Sequence, residues 1–492
     1  MGCMNDARRD PKPDHHYHFV TGKLAAEALR DIASQLADRY GFSYTVGVLP
    51  ITVAALMTPK FLRRHLDVPD TATHVVLPGF LRQQRHADDQ QESAWLDDLS
   101  RQSGATILIG PTDCRELPEW FGGTRVPPDL STFDIEIIAE INHVPRRSVD
   151  EFVRQANRLV GDGADRIDIG CDPSNTCSRI ADYVVAAKDL GLKISIDTFD
   201  VGEAAAATAA GADLVLSVNA SNRHACPDWG CEVVAIPDTP DDSAGLDRTV
   251  AYLNDHGVAF RLDAILEPIG SGLFASLQRY ARVRAAYPDA PMMMGIGNVT
   301  ELTDVDSAGL NFLLLAICQE LRIESVLTTQ VINWARSSVR ECDVARRLVR
   351  HAITRRIPPK RLSDDLVMLR DAKLRPYPAD MFDQLSETIR DNNYRLFAQD
   401  QTLHLVSAGL HLSDDDPFRL FEALLARPQS DNVDASHAFY LGYELAKATL
   451  ALQLGKQYEQ DRALDWGILT VAEDLHRIAR TSRHRPGNPA AE

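Results

Sequence analysis

MMMGIGNVTELTDVDSAGLN, residues 292–311, opens as a short apolar strand. It turns through Gly295-Ile296-Gly297, carries Asn298 in the turn, and crosses an acidic linker into a helical pattern. Parallel α/β folds place their chemistry where an apolar strand ends in a polar, glycine-containing loop. The same unit recurs upstream and once downstream. Short apolar strands are expected at residues 135–141, 166–169, 193–196, 213–218, 232–236, 259–262, 291–295 and 325–328. Amphipathic patterns of helical period fall between most of them, as at 148–160, 178–190, 241–256 and 271–287. Eight such repeats, rich in β-branched residues, predict a TIM (β/α)8 barrel over residues 130–357.

The strands end in a recurrent chemistry: Asn142, Asp168, Asp172, Asp197, Asn219, Asp263, Asn298 and Gln330. In a barrel these ends share one mouth. Carboxylates and amides gathered in a small volume are costly unless a ligand pairs with them. An Asp accepts two parallel hydrogen bonds from an amino group and a neighbouring ring N–H, and an Asn offers both a donor and an acceptor. That set suits a flat heterocycle such as a pterin. Taken singly, each residue serves as well to cap the helix that follows it.

The flanks read differently. Residues 15–125 predict a small Rossmann-like α/β domain with strands at 17–20, 44–49, 74–77 and 105–109. Thr21-Gly22-Lys23 lacks the spacing of a phosphate loop and reads as a helix start. Beyond Pro358-Pro359, residues 361–482 predict an α+β domain with a hairpin at 393–398 and 402–407 and helices at 418–425 and 437–454; residues 483–492 are expected to be disordered. The net charge of −18 argues against a nucleic-acid backbone as partner. No apolar run approaches the ~20 residues that span a membrane. The first residues hold no apolar segment of the kind a signal peptide needs, and eight scattered cysteines fit a reducing, cytoplasmic setting. A homodimer is left open.

The barrel segment resembles the pterin-binding superfamily, which holds dihydropteroate synthases and methyltetrahydrofolate-dependent corrinoid methyltransferases. AEINHVP (139–145), GADRIDIGCDP (163–173), ISIDT (194–198), AAGADLVLSVNAS (209–221) and LDAILEPIG (262–270) carry the likeness, with Ala264 where the family has Pro. The resemblance implies pterin contacts from Asp168, Asp197, Asn219, Asp263 and Asn298. It also implies catalytic roles for Asn142 and Asp197, with Asn142 holding Mg2+ on a substrate diphosphate.

The departures narrow it. Where a dihydropteroate synthase has Ser-Arg-Lys after the seventh strand, this chain has Gly297-Asn298-Val299; Thr328-Thr329-Gln330 stands in place of Arg-x-His, and Asp172-Pro173-Ser174-Asn175 in place of Ser-Thr-Arg-Pro. The whole layout, with RPYPADMFDQL (375–385), resembles dihydropteroate-synthase-related proteins of tetrahydromethanopterin-linked one-carbon metabolism. That implies a folate-like transferase joining a dihydropterin-methyl diphosphate to a ribosylated, phosphorylated aminobenzene acceptor. Arg146, Arg147, Arg223, Arg336 and Gln330 are then the candidates for the phosphate and second substrate. Gly297-Asn298-Val299-Thr300 also resembles the methyltransferase branch, which would pass a methyl group between a tetrahydropterin and a corrinoid. A non-catalytic pterin carrier or scaffold is the remaining alternative. Cys171, Cys177, Cys226 and Cys231 fall in loops at the mouth, but their spacing is not that of a zinc site, and ordinary thiols are expected.

Overall fold

A computed structural model of the chain describes residues 11–82, 89–124, 127–172, 176–371, 374–378, 380–391 and 393–473. The tail at 483–492, the first ten residues, and Pro173, Ser174 and Asn175 lie outside these.

The N-terminal strands β1 (His16–Thr21), β2 (Ser43–Val48), β3 (His74–Leu77) and β4 (Thr106–Ile109) form a parallel sheet in the order β2-β1-β3-β4. Helix Ala26–Tyr40 covers one face, burying Leu29, Ala33 and Leu36 at helical spacing, and ends at Gly41 in the left-handed region.

Eight strands follow: β5 (Glu136–Ile141), β6 (Arg166–Gly170), β7 (Ile194–Asp197), β8 (Leu214–Val218), β9 (Glu232–Ala235), β10 (Phe260–Leu262), β11 (Met293–Gly295) and β12 (Ser325–Thr328). They pair in parallel as β10-β9-β8-β7-β6-β5-β12-β11. A bridge between Leu262 and Met292 joins the two ends, where the Leu262 N–H donates to the Pro291 carbonyl at 2.9 Å. These eight strands therefore form the TIM barrel that the strand pattern predicts. Each strand alternates. Ile137, Ala139 and Ile141 pack outward against the helices, while Ile138 faces inward with Leu214, Leu216, Val234 and Met293. Glu136 and Glu140 share the inward face with Ile138. Near the strand N-termini, Arg261 donates to Glu232 at 2.6 Å and to Glu136 at 2.8 Å, and Arg166 to Glu136 at 3.2 Å. This ion-paired layer plugs the barrel floor.

Short loops set the helices in place. Ser148 and Glu151 form a reciprocal capping box at helix Val149–Gly161, and Asp200 and Asp242 cap the helices that follow β7 and β9. The C-terminal segment is an antiparallel sheet, β13 (Arg395–Gln399), β14 (Thr402–Ser407) and β15 (Leu410–Asp414), under helices Pro417–Leu425 and Ala435–Leu454. β15 goes beyond the expected hairpin: Gly409, at φ 65°, turns the chain back for a third strand whose sequence, LHLSD, is too polar to announce itself. The linker after the barrel is tied to the N-terminal sheet, with Arg361 paired to Asp113 at 3.1 Å and Glu116 at 3.2 Å. No helix among the described residues is long and apolar enough to cross a membrane.

Candidate functional site

At the C-terminal ends of the barrel strands lies a cavity of about 310 Å³. Its apolar floor is Leu216, Ile236, Met293 and Leu327, and its walls are polar. Of the residues expected there, Asn142, Asp197, Asp263 and Asn298 line it. Glu140, Ser217, Glu301 and Thr329 join them, none of which the strand-end pattern singles out.

Asp197 ends β7 and accepts a hydrogen bond from Ser217 Oγ at 2.6 Å. Ser217 reaches it through an irregularity. The pairing of β8 with β9 slips between Val215 and Val218, and Ser217 has φ 62°. A bulge re-aims a side chain that regular alternation would place elsewhere. Burial raises the Asp197 carboxyl above its usual range, and the Ser217 hydrogen bond acts against that shift.

Asp263 follows β10 and accepts from Tyr280 Oη at 2.5 Å and from the Ile265 N–H at 2.7 Å. Burial pushes it up to about 6 even so. Asn298 lies in the first turn of helix Gly297–Thr300 and donates from Nδ2 to the Leu266 carbonyl at 3.0 Å. Its remaining polar edge and Asp263 converge: a methyl group on Gly295 would stand 3.9 Å from Asn298 Nδ2 and 4.0 Å from Asp263 Oδ2. The absence of a side chain at Gly295 leaves that space to a ligand.

Glu140 projects from β5 over Gly170, where an added methyl would stand 2.5 Å from Oε1. Burial, then the Asp197 and Glu301 carboxylates, push its carboxyl up to about 8. The shift favours the protonated form, which can donate as well as accept. Asp168 is fully buried beside it, bound by Ser195 Oγ at 2.6 Å with Oδ2 unpartnered, and burial with the Asp197 and Glu140 charges raises it well above the usual range. Asp168 lies beneath the cavity wall rather than in it.

The other candidates are placed less centrally. Asn219 turns its carbonyl into its own loop, accepting from the Ser221 N–H at 3.0 Å and from Ser221 Oγ at 2.8 Å, and it does not line the cavity. Gln330 has a buried, unpartnered Nε2 outside the cavity lining. Arg146 grips Asp172 with two hydrogen bonds of 2.8 and 3.0 Å, and His143 shares that carboxylate at 2.5 Å, so the three strap the first two loops together. Arg147 donates to the Asn142 carbonyl at 3.3 Å, and Arg223 to Thr249 at 3.0 Å. Arg336 is exposed and has no hydrogen bond or ion pair among the described residues.

Asn142 Oδ1 is buried and unpartnered, a hard oxygen with an open lone pair. That fits a Mg2+ ion carried chiefly by phosphate and water. Among the described residues no group of three or more His, Cys, Asp or Glu could hold a metal ion, and Cys171, Cys177, Cys226 and Cys231 are free thiols.

The cavity thus offers four carboxyl groups, two amides and two hydroxyls around an apolar floor, and among the described residues no Lys, Arg or His lines it. Such a site recognises a flat, N–H-rich heterocycle. The sequence comparison agrees. Residues 142–235 match the model of the pterin binding enzymes, so the barrel is of the pterin-binding type. Residues 15–112 match a family of unknown function, DUF6513. An uncharacterized protein of Methanocaldococcus jannaschii is 27% identical over 535 aligned residues, covering 90% of this chain and 98% of its own. Among solved structures the barrel is similar to dihydropteroate synthases. One from Yersinia pestis, with a sulfonamide drug complex, is 18% identical over 46% of this chain and 96% of its own, with a TM-score of 0.38. One from Thermus thermophilus in complex with 6HMPPP is 19% identical over 43% of this chain and 92% of its own, with a TM-score of 0.33.

Proposed function

We propose that the barrel is a pterin-dependent transferase of the dihydropteroate-synthase type, acting in folate or tetrahydromethanopterin biosynthesis. It joins a dihydropterin-methyl diphosphate to an aminobenzene acceptor, ribosylated and phosphorylated rather than plain aminobenzoate. The observation that carries the reading is the pairing of Asp197 and Asp263 with Asn142 and Asn298 around one cavity with an apolar floor. The pterin ring lies on Leu216, Ile236 and Met293, and its amino group and ring N–H donate to a carboxylate. Held so, its methylene carbon faces the opening. The aniline nitrogen of the acceptor attacks that carbon, the carbon–oxygen bond to the diphosphate breaks, and the nitrogen gives up a proton to water. Mg2+, with Asn142 Oδ1 as its protein ligand, would neutralise the leaving diphosphate. Arg336, exposed in the segment after β12 and unpaired among the described residues, supports the reading as an anion contact.

A second reading draws on one observation: among the described residues no cation lines the cavity, while burial and the neighbouring Asp197 and Glu301 carboxylates favour the protonated form of Glu140. A protonated acid beside a tetrahydropterin suits methyl transfer to a corrinoid, where N5 must be protonated or hydrogen-bonded before its methyl bond breaks. A single assay separates the two. Incubation with the dihydropterin-methyl diphosphate and either 4-aminobenzoate or its ribosyl phosphate analogue should release pyrophosphate, most rapidly with the phosphorylated acceptor. Tight pterin binding with no pyrophosphate from either acceptor removes the synthase reading.

A further inference from the structure

The N-terminal sheet changes direction in its middle. From β1 the chain builds outward to β2, and from β3 it builds the opposite way to β4. At such a reversal the loops part and open a crevice beyond the carboxyl ends of the strands. Here that crevice is a cavity of about 390 Å³, larger than the 310 Å³ mouth of the barrel. It is bounded by Thr21 after β1, Ala28 on helix Ala26–Tyr40, Phe80 after β3, Thr112 after β4, and Ile357 and Lys360 of the linker that leaves the barrel. Its shape is fixed by close loop contacts. A methyl on Gly79 would overlap the Pro111 carbonyl, so the β3 and β4 loops can meet only because Gly stands there.

Most of the wall is apolar, and its fixed charges neutralise one another. Arg115 donates to Asp113 at 2.8 Å and to the Lys360 carbonyl, and Arg361 pairs with the same Asp113 at 3.1 Å and with Glu116 at 3.2 Å, two cations against two carboxylates. Three polar groups are left over: the Thr21 and Thr112 hydroxyls and the exposed Lys360 ammonium make no hydrogen bond or ion pair among the described residues. An apolar slot of heterocycle size with two hydroxyls and one unpaired cation at its rim defines a ligand of matching polarity.

We propose that this crevice is a second small-molecule site, taking a flat aromatic acid with its ring against Ala28, Phe80 and Ile357 and its anionic group at Lys360. The site is remote from the barrel mouth. Helix Ser338–Arg355 runs back from β12 toward the strand N-termini, and the linker carrying Ile357 and Lys360 follows it directly. The proposal stands whatever the barrel does with its pterin.

Calorimetric titration of the full chain with naphthalene-2-carboxylate tests it. One equivalent should bind with a dissociation constant below about 1 mM. Lys360→Glu, a change on an exposed side chain, should weaken binding about tenfold, and Ala28→Trp should abolish it by filling the slot. Asp197→Ala, at the barrel mouth, should leave it unchanged. Naphthalene-2-carboxamide should bind about tenfold more weakly than the acid. Absence of saturable binding, equal affinity for acid and amide, or loss of binding in Asp197→Ala but not in Lys360→Glu would each overturn the proposal. If Ala28→Trp does not fold, the Lys360→Glu and carboxamide results decide.

Discussion

Ser217 Oγ lies 2.6 Å from Asp197 Oδ1, donating from a residue that a strand bulge has turned into the barrel mouth. The bond leaves Asp197 Oδ2 to a ligand and partly offsets the effect of burial on the carboxyl. Asp197→Ala should abolish pterin binding while leaving the circular-dichroism spectrum and unfolding midpoint nearly unchanged. Ser217→Ala should weaken binding about tenfold, or about 1.4 kcal/mol. Unaltered affinity in Asp197→Ala, measured by fluorescence quenching of added pterin, would remove the whole site assignment.

Glu140 contributes, with Asp168, Asp197 and Asp263, to the pH behaviour of the empty protein. The Glu140 carboxyl is pushed up to about 8 in the fold, against an ordinary value near 4.5. A raised carboxyl contributes full stability below the unfolded value and loses it as pH rises through the folded one. The ligand-free protein should therefore lose stability between about pH 5 and pH 8. Glu140→Gln keeps the shape without the charge, so it should flatten that slope and raise the melting temperature at pH 8 by a few degrees. Denaturation scans of both proteins across this range provide the check, and parallel slopes would contradict the assignment.

Tyr280 holds Asp263 through a 2.5 Å hydrogen bond that favours the charged carboxylate. Asp263 sits at about 6, so pterin affinity that depends on its ionised form should decline as pH falls below about 6. Tyr280→Phe removes one donor to the carboxylate, and the acid limb of the binding curve should move to higher pH. Loss of the buried bond should also cost about 1–3 kcal/mol of stability. A binding curve of unchanged midpoint in a folded Tyr280→Phe protein would show that Asp263 is not the titrating ligand group.

Arg336 and Arg146 should separate under mutation. Arg336 has no protein partner among the described residues, and Arg146 is committed to Asp172. In the synthase reaction Arg336→Ala should raise KM for the diphosphate substrate several-fold and leave stability within about 0.5 kcal/mol. Arg146→Ala should instead loosen the strap between the first two barrel loops, seen as faster proteolysis there. Identical effects from the two changes would remove the anion role of Arg336.

The barrel is legible in the sequence because its strands obey one rule. Apolar runs of β length, most of them followed closely by Asp or Asn, fall within a residue or two of the observed strands, as at residues 166–169 against Arg166–Gly170. Asn142, Asp197, Asp263 and Asn298 are legible for the same reason: they stand where a strand stops. Glu140 stands before the stop, inside AEIN, and only the inward phase shared with Glu136 and Ile138 could flag it. Ser217 is hidden because a bulge breaks the alternation by which a reader assigns faces. Tyr280 reaches the site from helix Leu273–Ala286, and Glu301 from just past the Asn298 turn, and neither stands at a strand end. Asn219 has the right position in the chain, but its carbonyl satisfies Ser221, a local competition that residue type alone does not resolve.

The seam of the barrel has its own consequence. β10 and β11 are only three residues each, and a single bridge at Leu262 and Met292 joins them. Asp263 and Asn298 stand directly beyond these two short staves. A ligand that touches both would act as a clasp across this short joint, so the empty barrel is expected to open there first and ligand binding to hold it closed. The Leu262 amide, donor of the closing bond, is the reporter: its hydrogen exchange should slow on ligand binding more than that of amides in the long, well-paired β5.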